Sequence, residues 1–303
     1  MFDKCIRWEK RGLVIKPRPD LWWMQTHAMI PTPEHLEGSY WKIYFSGRCA
    51  RNVSHVGWAI LDLERPLEVV DFAHEPVLSP GELGCFDDNG VTPSCIVRSG
   101  DAIHLYYIGW NPGFNVRMHL FGGLALSLDG GASFRRWSRA PIIERSRSNP
   151  FLNTAPFVIK DAAVWRMYFV GGVGWRHKDL PRYNIQYAQS DDGCSWSRDG
   201  MVCIDFADDA ENALARPFVL KEDGVYKMWF AHKGSAYRLG YAESENGTDW
   251  IRDDSYAGLD VSDDGFDSDM LEYAAVIDHG GRKYMFYNGN NYGHDGIGLA
   301  TEA

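Results

Sequence analysis

A strand-like segment with paired aromatic residues recurs five times along the chain. The five copies are WKIYFSGR (41–48), IHLYYIGW (103–110), WRMYFVGG (165–172), YKMWFAHK (226–233) and KYMFYNGN (283–290). Counted between the first aromatic residues of the pairs, the spacings are 62, 62, 61 and 57 residues. A regular period of this length is typical of folds in which one supersecondary unit is copied several times.

Each copy is flanked by further strand-like segments. A shorter apolar run precedes it, at HAMIP (27–31), TPSCIV (92–97), APFVIK (155–160), RPFVLK (216–221) and YAAVID (273–278). A third strand follows it, at HVGWAIL (55–61), FGGLALS (121–127), YNIQYAQS (183–190), YRLGYAES (237–244) and GIGLATE (296–302). Three of the third strands lead into Asp-Gly or Asn-Gly turns, and the aromatic residue after each turn is expected to begin a fourth strand.

Five four-stranded units at this period predict an all-β fold, a five-bladed β-propeller with four-stranded blades. We expect residues 1–303 to form a single domain. The last unit reaches Ala303 after only three strands. The N-terminal segment IRWEKRGLVI (6–15) is therefore expected to join the last blade as its fourth strand and close the ring. A β-sandwich is the alternative fold, but it does not require five matched units.

Composition narrows the function classes. The 303 residues carry a formal net charge of −10 and include no long run of Lys and Arg, which argues against nucleic-acid binding. No apolar stretch approaches the roughly 20 residues of a membrane-spanning helix. The start, MFDKCIRWEK, lacks the apolar core of a signal peptide. We therefore expect a cytoplasmic protein with no membrane association and with its six cysteines reduced, and the oligomeric state stays open.

The sequence carries none of the common motifs for cofactors or metals. It contains no Ser-His-Asp order, no Gly-rich phosphate loop and no dinucleotide fingerprint. No group of His, Cys and Asp residues has the spacing of metal ligands, so we expect no cofactor and no catalytic metal. A structural Ca²⁺ on the propeller axis remains an alternative, because carboxylates from several blades are expected to converge there.

The candidate site residues lie at or near the start of the first strand in each unit, where a propeller opens into a central funnel. Polar residues there have no packing role, so they are candidates for function. The candidate catalytic carboxylates are Asp88, Glu211 and Asp269. The candidate substrate-binding residues are His27, Asp87, Trp110, His119, Asn153, Arg216, Asp267, Glu272 and Tyr273. Carboxylates beside aromatic rings suit a saccharide ligand, whose hydroxyls form hydrogen bonds and whose apolar faces pack on rings.

Structural roles compete with these assignments. Asp87 and Asp88 precede Gly90 in a turn that a single Asp is sufficient to cap. Glu211 follows Asp208 and Asp209, so a solvated acidic loop is the alternative there. Arg216 is expected either to pair with a carboxylate or to hold a sugar acid, a phosphate or a nucleotide.

The five units, their turns and the acidic starts of their first strands resemble the five-bladed propeller glycoside hydrolases. These include families 43, 32, 68 and 130 (arabinanases, invertases, levansucrases and mannoside phosphorylases). The chain is most similar to glycosidase-like proteins of bacterial polysaccharide-biosynthesis clusters. The segments that carry the resemblance span nearly the whole chain and include FDDNGVTPSCIV, ENALARPFVLKEDGVYKMWF and YNGNNYG. The resemblance implies glycosidic-bond chemistry in the central funnel by an acid and a second carboxylate.

The chain departs from this family pattern at two positions. The first blade, where the families place an essential Asp, reads Met24-Gln25-Thr26-His27, and the third blade, where they place the proton-donating Glu, reads Asn153-Thr154-Ala155. Only the second-blade Asp has a match, in Asp88 or its neighbour Asp87. The predicted catalytic pair is therefore Asp88 with Glu211 or Asp269.

Three other functions stay open at the level of sequence. Phosphorolysis needs only one protein acid, since phosphate attacks, and Arg48, Arg216 and Arg238 are candidates to hold that phosphate. A propeller that lacks the two family acids would also serve to bind a saccharide or a nucleotide sugar without turnover. A protein-interaction propeller would instead have a flat apolar rim and a filled axis.

Overall fold

The computed structural model describes residues 5–303; residues 1–4, part of the segment in which no signal peptide is predicted, lie outside the described residues. The fold is all-β, as the sequence predicts. Helical structure in the described chain is confined to a 3-10 turn at Asp254–Ala257 and a single turn at Asn290–Gly293. Within residues 5–303, no helix has the length and apolar character that crossing a membrane requires.

Twenty strands follow one another within residues 5–303. The first is β1 (Trp8–Ile15), and unit 1 consists of β2 (Thr26–His35), β3 (Tyr40–Arg48), β4 (Ser54–Asp62) and β5 (Val69–Phe72). Unit 2 consists of β6 (Val91–Ser99), β7 (Ala102–Pro112), β8 (Met118–Ser127) and β9 (Arg135–Arg136). Unit 3 consists of β10 (Asn153–Asp161), β11 (Val164–His177), β12 (Leu180–Ser190) and β13 (Val202–Ile204).

The last two units complete the series. Unit 4 consists of β14 (Ala213–Glu222), β15 (Val225–Lys233), β16 (Tyr237–Ser244) and β17 (Ile251–Arg252). Unit 5 consists of β18 (Glu272–His279), β19 (Arg282–Asn288) and β20 (Ile297–Glu302), with β1 as its fourth strand. Strands within each unit pair antiparallel in chain order, and β1 pairs antiparallel with β20, as expected for the N-terminal segment.

The first strands of the units surround the centre of the molecule. Each contacts the first strand of the next unit, in the order β2, β6, β10, β14 and β18, and β18 in turn contacts β2. The chain thereby brings the starts of its five repeats together around one cavity. The aromatic residue that begins each recurrent pair lies on the second strand and is fully buried: Tyr44, Tyr106, Tyr168, Trp229 and Phe286.

Two of these tyrosines explain part of the repeat, because each bonds to a turn of the next unit. The Tyr106 hydroxyl donates to the Gly193 carbonyl oxygen at 2.7 Å, and the Tyr168 hydroxyl donates to the Gly247 carbonyl oxygen at 2.9 Å. Both glycines have a positive φ, at which other residues are strained. In the first turn the Asp192 carboxylate accepts the backbone N–H of Cys194 at 2.7 Å. The turn residues predicted from Asp-Gly and Asn-Gly are therefore also contacts between units.

Candidate functional site

A central cavity of about 280 Å³ lies among the first strands and the ends of the second and third strands. This volume is close to the lower end of about 300–1,000 Å³ that is usual for small-ligand sites. The first-strand residues that line it include Ile30, Ala155, Arg216 and Tyr273. The cavity is lined by residues from all five units.

These four lining residues share an unusual backbone conformation. Their φ angles are 56° at Ile30, 49° at Ala155, 50° at Arg216 and 59° at Tyr273, and each lies at a register shift between the first and second strands. A non-glycine residue held at positive φ costs free energy, and such residues concentrate at functional sites. At the matching place in unit 2 the chain has Pro93, whose ring excludes a positive φ. The bulges turn four side chains toward the cavity.

Aromatic rings form one wall of the cavity. Tyr183, Tyr237, Tyr273 and Tyr292 line it, and the hydroxyl oxygens of Tyr183 and Tyr237 are 2.7 Å apart. The Lys233 ammonium lies 5.1 Å from the centroid of the Tyr237 ring and 3.5 Å from the Tyr292 hydroxyl oxygen. The wall therefore offers flat apolar faces together with hydroxyl donors and acceptors, a combination that suits a sugar ring.

Basic side chains reach the cavity from strands of units 1 and 4 and from a loop of unit 2. Arg48 ends β3, Lys233 ends β15, Arg117 lies in the loop before β8, and Arg216 lies on β14. Arg48 and Lys233 occupy the same position in their units, four residues after the first aromatic residue of the pair. Trp110 holds that position in unit 2 and also lines the cavity. The end of the second strand is therefore a recurring source of site residues.

Arg216 lines the cavity and also links units through its hydrogen bonds. Its guanidinium donates to the Ala274 carbonyl oxygen at 3.0 Å and to the Pro31 carbonyl oxygen at 2.5 Å, so it joins units 4, 5 and 1. No carboxylate pairs with it among the described residues, contrary to one of the sequence-based alternatives. Burial lowers its pKa to about 10.

Glu272 lies directly beside the aromatic wall. Its side chain is fully buried, and neither carboxyl oxygen makes a hydrogen bond of good geometry, although the adjacent Tyr273 side chain is near enough to act on the carboxyl as a hydrogen-bond donor. Burial raises the pKa of this carboxyl well above its usual range, while the neighbouring Tyr273 and Lys233 act in the opposite direction. Burial therefore favours the protonated, neutral form of this carboxyl, next to tyrosines that line the cavity.

The three predicted catalytic carboxylates lie elsewhere. The Asp88 carboxylate accepts the Gly84 backbone N–H and the Asn111 amide, both at 2.8 Å, which is the turn-capping alternative. Asp269 is exposed, with its backbone N–H bound to the Asn290 side chain. Neither residue lines the cavity in the described structure, and the catalytic role of each stays a prediction.

Glu211 belongs to a cluster of charged residues in unit 4. Its two carboxylate oxygens each lie 2.8 Å from an Arg252 guanidinium nitrogen, and one of them is also 2.8 Å from His232 Nδ1. These bonds outweigh the effect of burial and lower its pKa to about 2. An acid that is ionised so readily is a poor proton donor near neutral pH, and Glu211 also lies outside the cavity lining.

Asp87 and Asp267 occupy equivalent places in units 2 and 5 and are both buried. Asp87 accepts the Tyr107 hydroxyl at 2.9 Å and pairs with Arg136 at 2.7 Å. Asp267 likewise accepts the Tyr287 hydroxyl at 3.0 Å and pairs with Lys10 at 2.7 Å. Their basic partners lie on fourth strands, so each ion pair fastens a fourth strand to the loop before a first strand.

The remaining predicted residues divide between cavity and support. Trp110 and Tyr273 line the cavity, as does Arg216. His27 lies outside the lining, 3.0 Å from Thr26 Oγ1, and burial followed by the Arg48 charge lowers its pKa to about 4.

His119 and Asn153 have structural partners. His119 Nδ1 accepts an Arg145 N–H at 3.1 Å, and the buried Asn153 amide donates to the Glu144 carbonyl oxygen at 2.9 Å. Neither residue lines the cavity. Sequence reasoning did not select Arg117, Lys233, Tyr183 or Tyr237. Two of these, Lys233 and Tyr237, end a second strand and begin the third strand of unit 4, positions that the repeat itself marks.

Metal binding gains no support from the arrangement of side chains. Among residues 5–303, no group of three or more His, Cys, Asp or Glu residues is placed to hold an ion. All six cysteines are free thiols in the described structure.

Comparison with known proteins places the chain in a family. It is 42% identical over 298 residues to the uncharacterized protein Rv1502 of Mycobacterium tuberculosis, covering 98% of this chain and 99% of that protein. The chain belongs to the family of Rv1502. Over a shorter span of 112 residues, 35% of this chain and 37% of the relative, it is 30% identical to a 1,2-beta-oligomannan phosphorylase of Thermoanaerobacter. No protein family model matches the chain.

Solved structures with the same fold include glycoside hydrolases. The structure of BT0996 in a complex with RGII superposes with a TM-score of 0.77 and 19% identity, over 100% of this chain and 93% of that one. A thermostable family-43 glycoside hydrolase superposes with a TM-score of 0.64 and 17% identity, over 91% of this chain and 88% of that one. At these identities the likeness concerns the fold: the Rv1502-like chain has the all-β, propeller-like architecture of glycoside hydrolases.

Proposed function

We propose that the five units are the blades of a single-domain, five-bladed propeller and that the central cavity is its site of action. The ring of contacts among the first strands and the pairing of β1 with β20 support this arrangement. In such a fold the end of the cavity lined by loops and strand termini is where ligands enter.

At this site, we propose that the protein is a carbohydrate-active enzyme that breaks or transfers a glycosidic bond. The observation that carries the proposal is Glu272, a buried acid with unpartnered oxygens beside a tyrosine-lined cavity. Glycosidic cleavage requires a proton for the leaving oxygen, and a carboxyl whose pKa is raised by burial is suited to supply it. The glycoside hydrolase-like fold and the partial similarity to an oligomannan phosphorylase support the same chemistry.

The proton reaches the substrate through Tyr273. The Glu272 side chain is buried and does not line the cavity, whereas Tyr273 does. Of the neighbouring residues, Tyr273 has the largest effect on the Glu272 pKa. The Tyr273 hydroxyl gives its proton to the glycosidic oxygen as the C–O bond breaks, and Glu272 passes its own proton to Tyr273. The Lys233 ammonium stabilises the carboxylate that remains. The attacking group is water, a sugar hydroxyl or inorganic phosphate, and it forms the new bond at the anomeric carbon. Water or a hydroxyl releases its proton in this step, and uptake of one proton returns Glu272 to its protonated form.

The test is turnover of aryl glycosides and 1,2-β-linked mannooligosaccharides, with and without inorganic phosphate. Glu272→Gln keeps the shape of the side chain but removes the acid, and we expect kcat to fall about 10²-fold or more. Tyr273→Phe keeps the ring and is expected to lower kcat similarly with little change in KM. The matched control is Glu245→Gln, at an exposed turn position outside the cavity lining. Unchanged kcat in both cavity variants would exclude the relay.

A second candidate is a propeller that binds a saccharide without turnover. It is favoured by the positions of Asp88, Glu211 and Asp269, none of which lines the cavity. Two-carboxylate hydrolysis requires its acid and base on either side of the scissile bond, about 5 to 9.5 Å apart. Saccharide binding by the wild type, with no product at any substrate or phosphate concentration, would favour this candidate over the enzyme.

A further inference from the structure

The basic residues of the central cavity have no carboxylate partners. Arg48, Arg117, Arg216 and Lys233 line it, and none of them forms a salt bridge within residues 5–303. Arg48 donates only to the Asn52 side-chain oxygen, at 3.1 Å, and no side-chain hydrogen bond of Arg117 is present among the described residues. Lys233 lies near Glu272, but no salt bridge joins the two side chains, and burial favours the neutral form of that carboxyl.

The buried carboxylates near the cavity, by contrast, do have basic partners. Asp87 pairs with Arg136, Asp267 with Lys10 and Glu211 with Arg252. Burying a charge without a partner is costly, so proteins generally pair such groups. Unpaired basic groups that converge on one cavity therefore indicate that the counter-ion is a ligand.

Arg117 is close enough to Arg48 to disfavour the charge on Arg48. Burial lowers the pKa of Arg48, and the neighbouring Arg117 charge adds to that effect, while Tyr273 and Tyr292 oppose it. Both arginines lie at the mouth of the cavity, one at the end of β3 and the other in the loop before β8. An anion between them would relieve this repulsion and accept two or more charge-assisted hydrogen bonds.

The net charge of the cavity lining is opposite in sign to the net charge of the whole chain. The chain has a formal net charge of −10, whereas the cavity lining has four basic residues and one carboxylate, Asp179, which gives 4 − 1 = +3. A cationic cavity in an otherwise acidic protein concentrates anions at the site and repels them elsewhere on the surface.

We propose that the saccharide bound in the central cavity itself carries an oxyanion, a phosphoryl or carboxylate group, held by Arg48, Arg117 and Lys233. The planar guanidinium groups match the two oxygens of such an anion, and the tyrosine wall receives the sugar ring. Because the cavity is taken as the saccharide site, this inference rests on the proposed function.

The experiment is calorimetric titration of the full chain with matched sets of hexoses, their phosphate esters and their uronates, and with inorganic phosphate alone. We expect the charged member of at least one set to bind about tenfold or more tightly than its neutral parent. Its affinity should fall as the salt concentration rises, because the contact is between charges. The phosphate ester and the uronate of one sugar, compared directly, identify which oxyanion the site prefers.

Variants assign the contact to residues. Arg48→Gln and Arg117→Gln should each weaken binding of the charged sugar about tenfold and leave the neutral parent unaffected. Arg117→Lys keeps the charge and should restore part of the affinity. The matched control is Arg135→Gln, at an exposed arginine on the outer strand β9, which should bind as the wild type does.

Three results would overturn the inference. One is equal affinity for neutral and charged sugars in the wild type and the variants. The second is inorganic phosphate that binds as tightly as every phosphate ester, since the anion would then not belong to the saccharide. The third is the absence of binding by every charged sugar. Turnover of neutral glycosides that depends on Glu272 would leave the proposed function standing in each case, whereas tight binding of charged sugars without any turnover would contradict only the proposed function.

Discussion

Glu272 is the residue whose environment is least compatible with a purely structural role. A carboxyl group that is fully buried without hydrogen bonds destabilises the fold relative to an apolar residue of the same shape. Glu272 lies on the first strand, next to Tyr273, whose positive φ directs it to the cavity. The cost in stability is consistent with a group retained for chemistry.

Stability should depend on pH in the direction that this burial dictates. The folded-state pKa of Glu272 lies above the unfolded-state value of 4.5, so the group is neutral in both states at low pH. As the pH rises above 4.5, Glu272 ionises in the unfolded chain, and this ionisation stabilises the unfolded state. The folded state gains no such stabilisation, because its Glu272 stays protonated to higher pH. Relative to Glu272→Gln, the wild type should lose up to about 1.4 kcal/mol for each pH unit until the folded-state pKa is reached.

Urea unfolding of both proteins between about pH 5 and pH 8 measures this difference. The free energy of unfolding of Glu272→Gln, minus that of the wild type, should increase steadily as the pH rises. A constant difference at every pH would mean that Glu272 titrates normally in the folded protein, and the proposed acid would then be ionised at neutral pH.

At the scale of elements, short fourth strands are held by side chains as much as by backbone pairing. Strand β17 contains only Ile251 and Arg252, and Arg252 binds both Glu211, in the loop before β14, and Asp254. This cluster fastens the outer edge of unit 4 to the approach of its first strand. Ion pairs also fasten β9 and the longer β1 to the loops before first strands: Arg136 pairs with Asp87, and Lys10 pairs with Asp267.

Glu211→Gln separates this structural role from the catalytic role predicted from sequence. The change leaves Arg252 with Asp254 alone, and we expect the free energy of unfolding to fall by about 2 to 3 kcal/mol at neutral pH. The loss should shrink as the pH falls from 4.5 toward 2, because over that range Glu211 takes up a proton in the unfolded chain while it stays ionised in the folded protein. Turnover per folded molecule should equal that of the wild type, and a large fall in kcat would restore Glu211 as a catalytic residue.

The elements that could be predicted from the sequence are those with a local signal. The apolar runs, the paired aromatic residues and the Asp-Gly turns located the first three strands of every unit and the fourth strand of unit 5. The bulges could not be predicted, because Ile30, Ala155, Arg216 and Tyr273 hold positive φ without being glycine or asparagine. Tertiary packing fixes those conformations.

The role of each carboxylate could not be predicted for a related reason. Asp87 and Asp88 are adjacent in the sequence, yet one pairs with Arg136, 49 residues away, and the other caps a local turn. Glu272, which the sequence suggests only as a substrate-binding residue, is distinguished by the hydrogen bonds of good geometry that it lacks rather than by a motif. The cavity residues Arg117 and Lys233 come from a loop and from the end of a second strand, where no local pattern distinguishes a site residue from a turn residue.

At the scale of the whole molecule, the proposed function depends on side chains from several units that meet at one cavity. Five repeats bring their first strands together, and the resulting cavity collects four basic side chains and a tyrosine wall, with the buried acid Glu272 beside it. No single repeat contains such a site, so the proposed function depends on the repeats together. The acidic exterior and basic cavity give it a charge preference that composition alone conceals.

The most direct test of the central claim, that one neutral acid serves the site, is the pH dependence of kcat on a turned-over glycoside. A single protonated acid predicts a plateau at low pH and one descending limb as Glu272 loses its proton, and Glu272→Gln should lack that limb. A bell-shaped profile with an ascending limb near the usual carboxylate pKa, retained in Glu272→Gln, would instead require a pair of carboxylates and would contradict the claim.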